Sequence, residues 1–153
     1  MENDSKRIAF GDIVGVETLV LRQDEPGVGT RVVPCIVVGG TEEGYILRYT
    51  NDKGLEDYTV SKDVLQIEPT EKWAEENGFG KQDDGFWTYL DVHDFDHDGG
   101  YWVNTVLLNF ETKVIKANAI TGNAVIHKNF CISTIQEVFS EYQIKKTFNT
   151  NGL

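Results

Sequence analysis

From Ile13 to Arg22 the chain alternates with a period of two: Ile13, Gly15, Glu17, Leu19 and Leu21 fall on one side and Val14, Val16, Thr18, Val20 and Arg22 on the other. Both sides are largely apolar, which predicts a long strand that bends between two neighbours. Asp24-Glu25-Pro26-Gly27 then supplies a turn. Arg31 to Val38 is β-branched and stops at Gly39-Gly40, Gly44 to Tyr49 forms the next strand, and Asn51-Asp52-Lys53-Gly54 turns the chain into Asp57 to Val60. Ser61 is placed to cap a single helical turn over Lys62-Asp63-Val64, followed by a short last strand from Leu65 to Ile67.

The pattern changes at Pro69-Thr70. Thr70 caps a short helix, Glu71 to Asn77, whose acidic first turn suits the positive helix end and whose stop is marked by Gly78. Trp73 is the residue expected to dock it on a core. Gly78 to Gly85 reads as a polar linker. Along Phe86 to His93, Phe86, Thr88, Leu90 and Val92 share one face, and Trp87, Tyr89, Asp91 and His93 share the other; the first is taken as the core face. After a loop, Asp94 to Gly100, further strands run over Tyr101 to Phe110, Lys113 to Ile120 and Ala124 to Asn129, joined by Glu111-Thr112 and Thr121-Gly122-Asn123. Ser133 and Gln136 have capping-box spacing, and Ile135, Val138, Phe139 and Tyr142 form a helical stripe, so an amphipathic C-terminal helix should lie across the sheet. The expected fold is mainly β, of α+β class, divided as 1–70, a short helix and linker over 71–85, and an antiparallel meander with its helix over 86–153.

Within the first part, Gly11-Asp12-Ile13-Val14 opening a strand, Val33-Pro34-Cys35-Ile36-Val37-Val38, Gly44 to Tyr49, and a turn before the last strand resemble an SH3-like barrel of the Tudor or KOW type. The resemblance covers residues 10–69, less than half the chain, and implies a five-stranded closed sheet. In Tudor domains it also implies an aromatic cage that reads methylated Lys or Arg by cation–π attraction. Here the loop from Arg22 to Arg31 contains no aromatic residue, so Tyr45, Tyr49 and Tyr58 are expected to serve as packing or edge residues of the barrel.

Composition sharpens this picture in two ways. A hydrophobic share of 40% and an aromatic share of 11% describe a chain that folds. No run approaches the length of a membrane span, and Met1 to Arg7 is polar and mixed in charge, unlike a secretory leader, so a soluble cytoplasmic protein is expected. Cys35 and Cys131 lie far apart among apolar neighbours, which suits buried thiols in a reducing compartment. The formal net charge is −11, and it is concentrated in residues 71–98, where nine acids stand against Lys72 and Lys81. Such a field repels a phosphate backbone, which disfavours direct nucleic-acid binding, and attracts a basic protein surface.

The most specific chemical pattern is Asp94-Phe95-Asp96-His97-Asp98-Gly99, the first half of a calcium loop of D-x-D-x-D-G type. Alternate carboxylates at Asp94, Asp96 and Asp98 can converge on a hard cation while the glycine turns the chain. Thr105 stands where such a loop places its closing Glu, and the flanks read as strands, so an acidic hairpin loop is the competing reading. Asp91 and His93, with His97 or His127, offer a weaker transition-metal set. No nucleophile elbow, P-loop or dinucleotide fingerprint is present; no cofactor is expected, calcium being the first candidate should the loop from Asp94 to Gly99 hold a cation. Trp87, Tyr89 and Trp102, rimmed by Asp83, Asp84 and Asp91, form an aromatic and acidic cluster of the kind that anchors a protein partner. The sequence thus points to a non-enzymatic, acidic interaction module, accessory or inhibitory, with a cation-binding protein or metal-dependent enzyme centred on Asp94, Asp96 and Asp98 as the alternative.

Overall fold

A computed structural model describes residues 8–21, 28–51, 53–94, 101–118 and 124–153, with backbone only at 18–21, 28–30, 93–94 and 101–102. The chain divides into two compact units, Met1–Ile67 and Glu68–Leu153. It is β-rich, with two antiparallel sheets. Among the described residues no helix is long and apolar enough to cross a membrane.

The first unit is a meander of β1 (Ile13–Leu21), β2 (Val28–Thr41), β3 (Gly44–Thr50) and β4 (Glu56–Ser61), hydrogen-bonded in that order. Alternation places Val14, Cys35, Val37 and Leu47 on one face as its buried centre, with Val16, Val33, Tyr45 and Tyr49 packed around them. The β2–β3 turn needs Gly44, whose φ of +141° and distance of 2.5 Å from a virtual Cβ to the Ser61 carbonyl oxygen exclude a side chain. A register shift between Val37 and Gly39 marks a bulge that bends the long β2. The turn read as helical at Lys62-Asp63-Val64 is not a helix: Ser61 Oγ donates to the Asp63 carbonyl instead of capping one. The last expected strand is reduced to one bridge, in which Gly15 and Leu65 exchange both backbone hydrogen bonds at 2.7 Å. The turn expected at Asp24 to Gly27 lies outside the described residues.

The second unit holds α1 (Glu71–Glu76), a sheet of β5 (Gly80–Lys81), β6 (Trp87–Asp94), β7 (Tyr101–Asn109), β8 (Val114–Asn118) and β9 (Ala124–His127) in sequence order, and α2 (Ile132–Glu141). The stretch read as a linker therefore contains β5, whose Lys81 lies opposite Trp87. Register fixes the inner face. Trp87 and Tyr89 oppose Leu108 and Val106, which in turn oppose Ile115 and Ala117. All four of these aliphatic partners are fully buried. This reverses the expected face: Leu90 and Val92 point outward and are more than half exposed. Both faces of β6 are apolar, so parity alone could not rank them; the partners on β7 and β8 decide.

On the inner face α2 contributes Ile132, Ile135, Val138 and Phe139, all buried. The helix starts earlier than the capping box suggested. Cys131 is its N-cap without a side-chain cap bond, and Ser133 sits buried in the first turn with its Oγ 3.3 Å from Cys131 Sγ. Both cysteines are free and buried. Beyond α2, Ile144 and Phe148 continue the core; Phe148 stacks on Trp73 at 5.4 Å and meets Phe139 edge-on at 4.8 Å. The chain end is then tied to α1. Trp73 Nε1 donates to the Asn149 carbonyl at 2.7 Å, Asn149 N donates to Asn77 Oδ1 at 2.9 Å, and Thr70 Oγ1 donates to the Gly152 carbonyl at 2.7 Å.

Candidate functional site

The acidic segment folds around α1 and the β5–β6 hairpin of the second unit. Thr70 caps α1 by accepting from Trp73 N at 3.0 Å, as its sequence implies. Trp73, Ala74 and Asn77 point inward, so Glu75 and Glu76 are left on the exposed side in the last turn, where no basic residue accompanies them. Carboxylates are disfavoured at a helix C-terminus, because its unpaired carbonyls carry partial negative charge. Their placement there is a local cost that packing must offset.

α1 lies beside β5. The hairpin that follows is closed by Gln82 N donating to the Phe86 carbonyl and Gly85 N donating to the Gln82 carbonyl, with Gly85 at a φ of +90°. Asp84 Oδ1 accepts from Phe86 N at 3.0 Å, an Asx turn that fixes the tip. Asp83 and Asp84 are both exposed there. Of the remaining acids, Glu71 Oε2 accepts from Trp87 Nε1 at 3.0 Å and lies 4.0 Å from Lys81, and Glu68 pairs with Lys113 at 2.8 Å. Among the described residues, then, Glu75, Glu76 and Asp83 make no ion pair, and the three stand on neighbouring elements with Asp84.

Of the residues singled out from sequence, Trp87, Tyr89, Asp91 and, by backbone register, Trp102 share the inner face of the sheet, while Asp83 and Asp84 stand exposed at the hairpin tip. Trp87 is only 7% exposed; its ring meets Phe110 edge-on at 6.4 Å and its N–H is taken by Glu71. It is a core residue, not an anchor. Tyr89 is half-buried between Phe79 and Phe139, at 5.6 and 5.0 Å, with Lys146 Nζ 5.9 Å over its ring. Burial, and secondarily the negative charge of Asp91, hold its phenol above the ordinary tyrosine range. Asp91 is half-buried, and the buried Asn104 lies opposite it. Trp102 lies opposite His93 by backbone register, and the side chains of both fall outside the described residues.

Of the calcium-type residues, Asp94 closes β6 opposite Tyr101, while Asp96 and Asp98 lie outside the described residues, as does His97. The described residues contain no group of three or more His, Cys, Asp or Glu arranged to hold a metal. Register also separates the transition-metal set. His127 belongs to the row of Ile115, Leu108 and Trp87, four residues along β6 from Asp91 and three strands across. Its Nε2 is buried without a hydrogen-bond partner.

Sequence reading missed the separate status of Glu75 and Glu76. The signal was available: Trp73, Ala74 and Asn77 define the inward stripe of α1, and residues 75 and 76 fall off it. Set against known protein families, characterised proteins and solved structures, the chain matches none of them.

Proposed function

We propose that this chain is a non-enzymatic interaction module that offers the acidic edge of its second unit to the basic surface of a protein partner. The supporting observation is the set Glu75, Glu76, Asp83 and Asp84, four exposed carboxylates on adjoining elements, held by a hairpin and a helix that are both anchored in an aromatic core. Charges so arranged steer encounter and fix orientation, and they give the association a marked salt dependence. Without Trp87 as an anchor, the contact is electrostatic at its centre, which predicts fast, salt-sensitive binding rather than a long-lived complex.

The test is a protein variant carrying Glu75→Lys, Glu76→Lys, Asp83→Lys and Asp84→Lys, measured against a partner identified by cross-linking in the native host. Affinity should fall at least about tenfold at low salt, and the dependence on ionic strength should reverse sign. Unchanged affinity and an unchanged salt slope defeat the proposal.

For the first unit the SH3-like reading is the one we infer. Its support is the Gly15–Leu65 bridge, which sets a fifth chain segment beside β1 on the side away from β2, as a closing barrel requires. Slow amide exchange at Gly15 and Leu65, comparable to that of Leu47, is the expected result; exchange at loop rates would mean an open sheet.

A further inference from the structure

We propose that α1 and residues 144–152, the strap that follows α2, dock and open together as a latch, which decides whether the acidic edge has a fixed shape; only the consequence for binding rests on the reading above. A helix of six residues does not hold itself, because nucleation costs more than so few bonds return. α1 stands because both of its ends are bonded to the strap. At the start, Thr70 Oγ1 accepts from Trp73 N at 3.0 Å and donates to the Gly152 carbonyl at 2.7 Å. At the end, the buried Asn77 accepts from Asn149 N at 2.9 Å and donates through Nδ2 to the Trp73 carbonyl at 2.9 Å. Between them Trp73 donates to the Asn149 carbonyl and stacks on Phe148. Gly152 comes so near that a Cβ there would lie 2.6 Å from Trp73 N. Lys146 Nζ would lie 3.6 Å from a Cβ on Gly78, so the strap brings a cation to a helix end whose own last turn has none.

Few of these attachments reach the sheet. Among the described residues, the strap's long-range hydrogen bonds all end on residues 70–77, and α1 is hydrogen-bonded to β6 through Glu71 and Trp87 alone. The strap meets α2 and β6 through Phe148 on Phe139 and Lys146 over Tyr89. Val106, Leu108 and Ile115 of the sheet and Ile132, Ile135 and Val138 of α2 are fully buried without belonging to either part of the latch. Strap and α1 therefore open together at a lower free energy than the sheet unfolds. Glu75 and Glu76 leave with α1, while Asp83 and Asp84 stay on the β5–β6 hairpin. The four carboxylates form one edge only while the latch is docked, and by reciprocity a bound basic partner holds the latch shut.

Native-state hydrogen exchange of the whole chain in low urea tests this. After correction for intrinsic rates, the amides of Ala74, Asn77 and Asn149 should report one common opening, at least about tenfold more frequent than that of Leu108. Ile115→Val weakens the sheet equally in the docked and open forms, so Leu108 should exchange at least about threefold faster while the other three stay within about twofold. Phe148→Ala raises the docked form alone, so all four amides should exchange at least about tenfold faster. Unlike opening rates at Ala74, Asn77 and Asn149 overturn the latch. So does an Ile115→Val variant that speeds them as much as Leu108, since the second unit then opens only as a whole, and so does a Phe148→Ala variant that leaves Ala74 unchanged. If Phe148→Ala unfolds the second unit, Ile115→Val decides alone. All of this is read on the chain without a partner, so failure of the latch is distinguishable from failure of the acidic-edge proposal, which shows in the lysine substitutions at Glu75, Glu76, Asp83 and Asp84.

Discussion

The two units solve the same problem, covering a small antiparallel sheet, with different materials. The first centres on medium-sized residues, Val14, Cys35, Val37 and Leu47, and depends on close backbone approach: no side chain fits at Gly15, whose virtual Cβ lies 2.6 Å from Val32 Cγ1 and 2.7 Å from Ile67 Cγ2. The second covers its sheet with a helix and a C-terminal strap and fills the space with Trp73, Phe79, Trp87, Phe139 and Phe148. Aromatic side chains bury more area per residue, and their edge and stacked contacts add to it. The carboxylates least suited to their position, Glu75 and Glu76, stand on this unit.

The largest expected effect falls on the second unit. Trp73→Ala removes a fully buried indole together with its bond to the Asn149 carbonyl, and should destabilise that unit by about 3–5 kcal/mol. Residue-resolved hydrogen exchange in urea is the measurement. Amides of β6 to β8 should lose protection while Leu47 and its neighbours keep theirs; equal loss in both units would show that they unfold together and erase the contrast. A smaller effect is expected in the first unit from Gly15→Ala, which overpacks the approach of β1 to Ile67 and should cost about 1–3 kcal/mol by denaturant midpoint. If the midpoint does not move, Val32 and Ile67 yield freely and the first unit is less tightly closed than its Gly15–Leu65 bridge implies.

The smallest effect concerns Cys35. Burial pushes its thiol from 9.0 up to about 11. A raised thiol value means that the unfolded chain loses its proton first as pH rises, so the contribution to stability is complete below about pH 9 and disappears as pH climbs through about 11. Midpoints of the first unit should therefore drop across that window, and Cys35→Ala should flatten the drop while lowering stability at neutral pH. Alkylation of Cys35 by iodoacetamide should also be slow in the folded protein, since the thiolate is the reactive form. Rapid labelling at neutral pH would contradict its burial.

Much of the fold was legible residue by residue. The alternation from Ile13 onward and from Gly44 to Tyr49, the turn residues at Asn51 and Gly54, the Thr70 cap and the stripe Ile135, Val138 and Phe139 each specify their own element, because strand pleat, turn geometry and helix period are local properties of the backbone. Of the candidate site, the concentration of charge in residues 71–98 was equally plain, but which carboxylates remain exposed was not.

What the sequence determined by itself was therefore the kind and approximate place of most elements, though not β5 or the reduced segment at Leu65, and the place along the chain where negative charge gathers. Only the tertiary structure decided that Trp87 turns inward while Leu90 and Val92 turn out, that β5 completes an edge where a linker was expected, and that the last residues fasten α1 through Asn149 and Gly152. The physical reason is the same in each case: a strand apolar on both sides carries no local record of its inner face, and a bond between residues more than seventy positions apart has no local pattern at all.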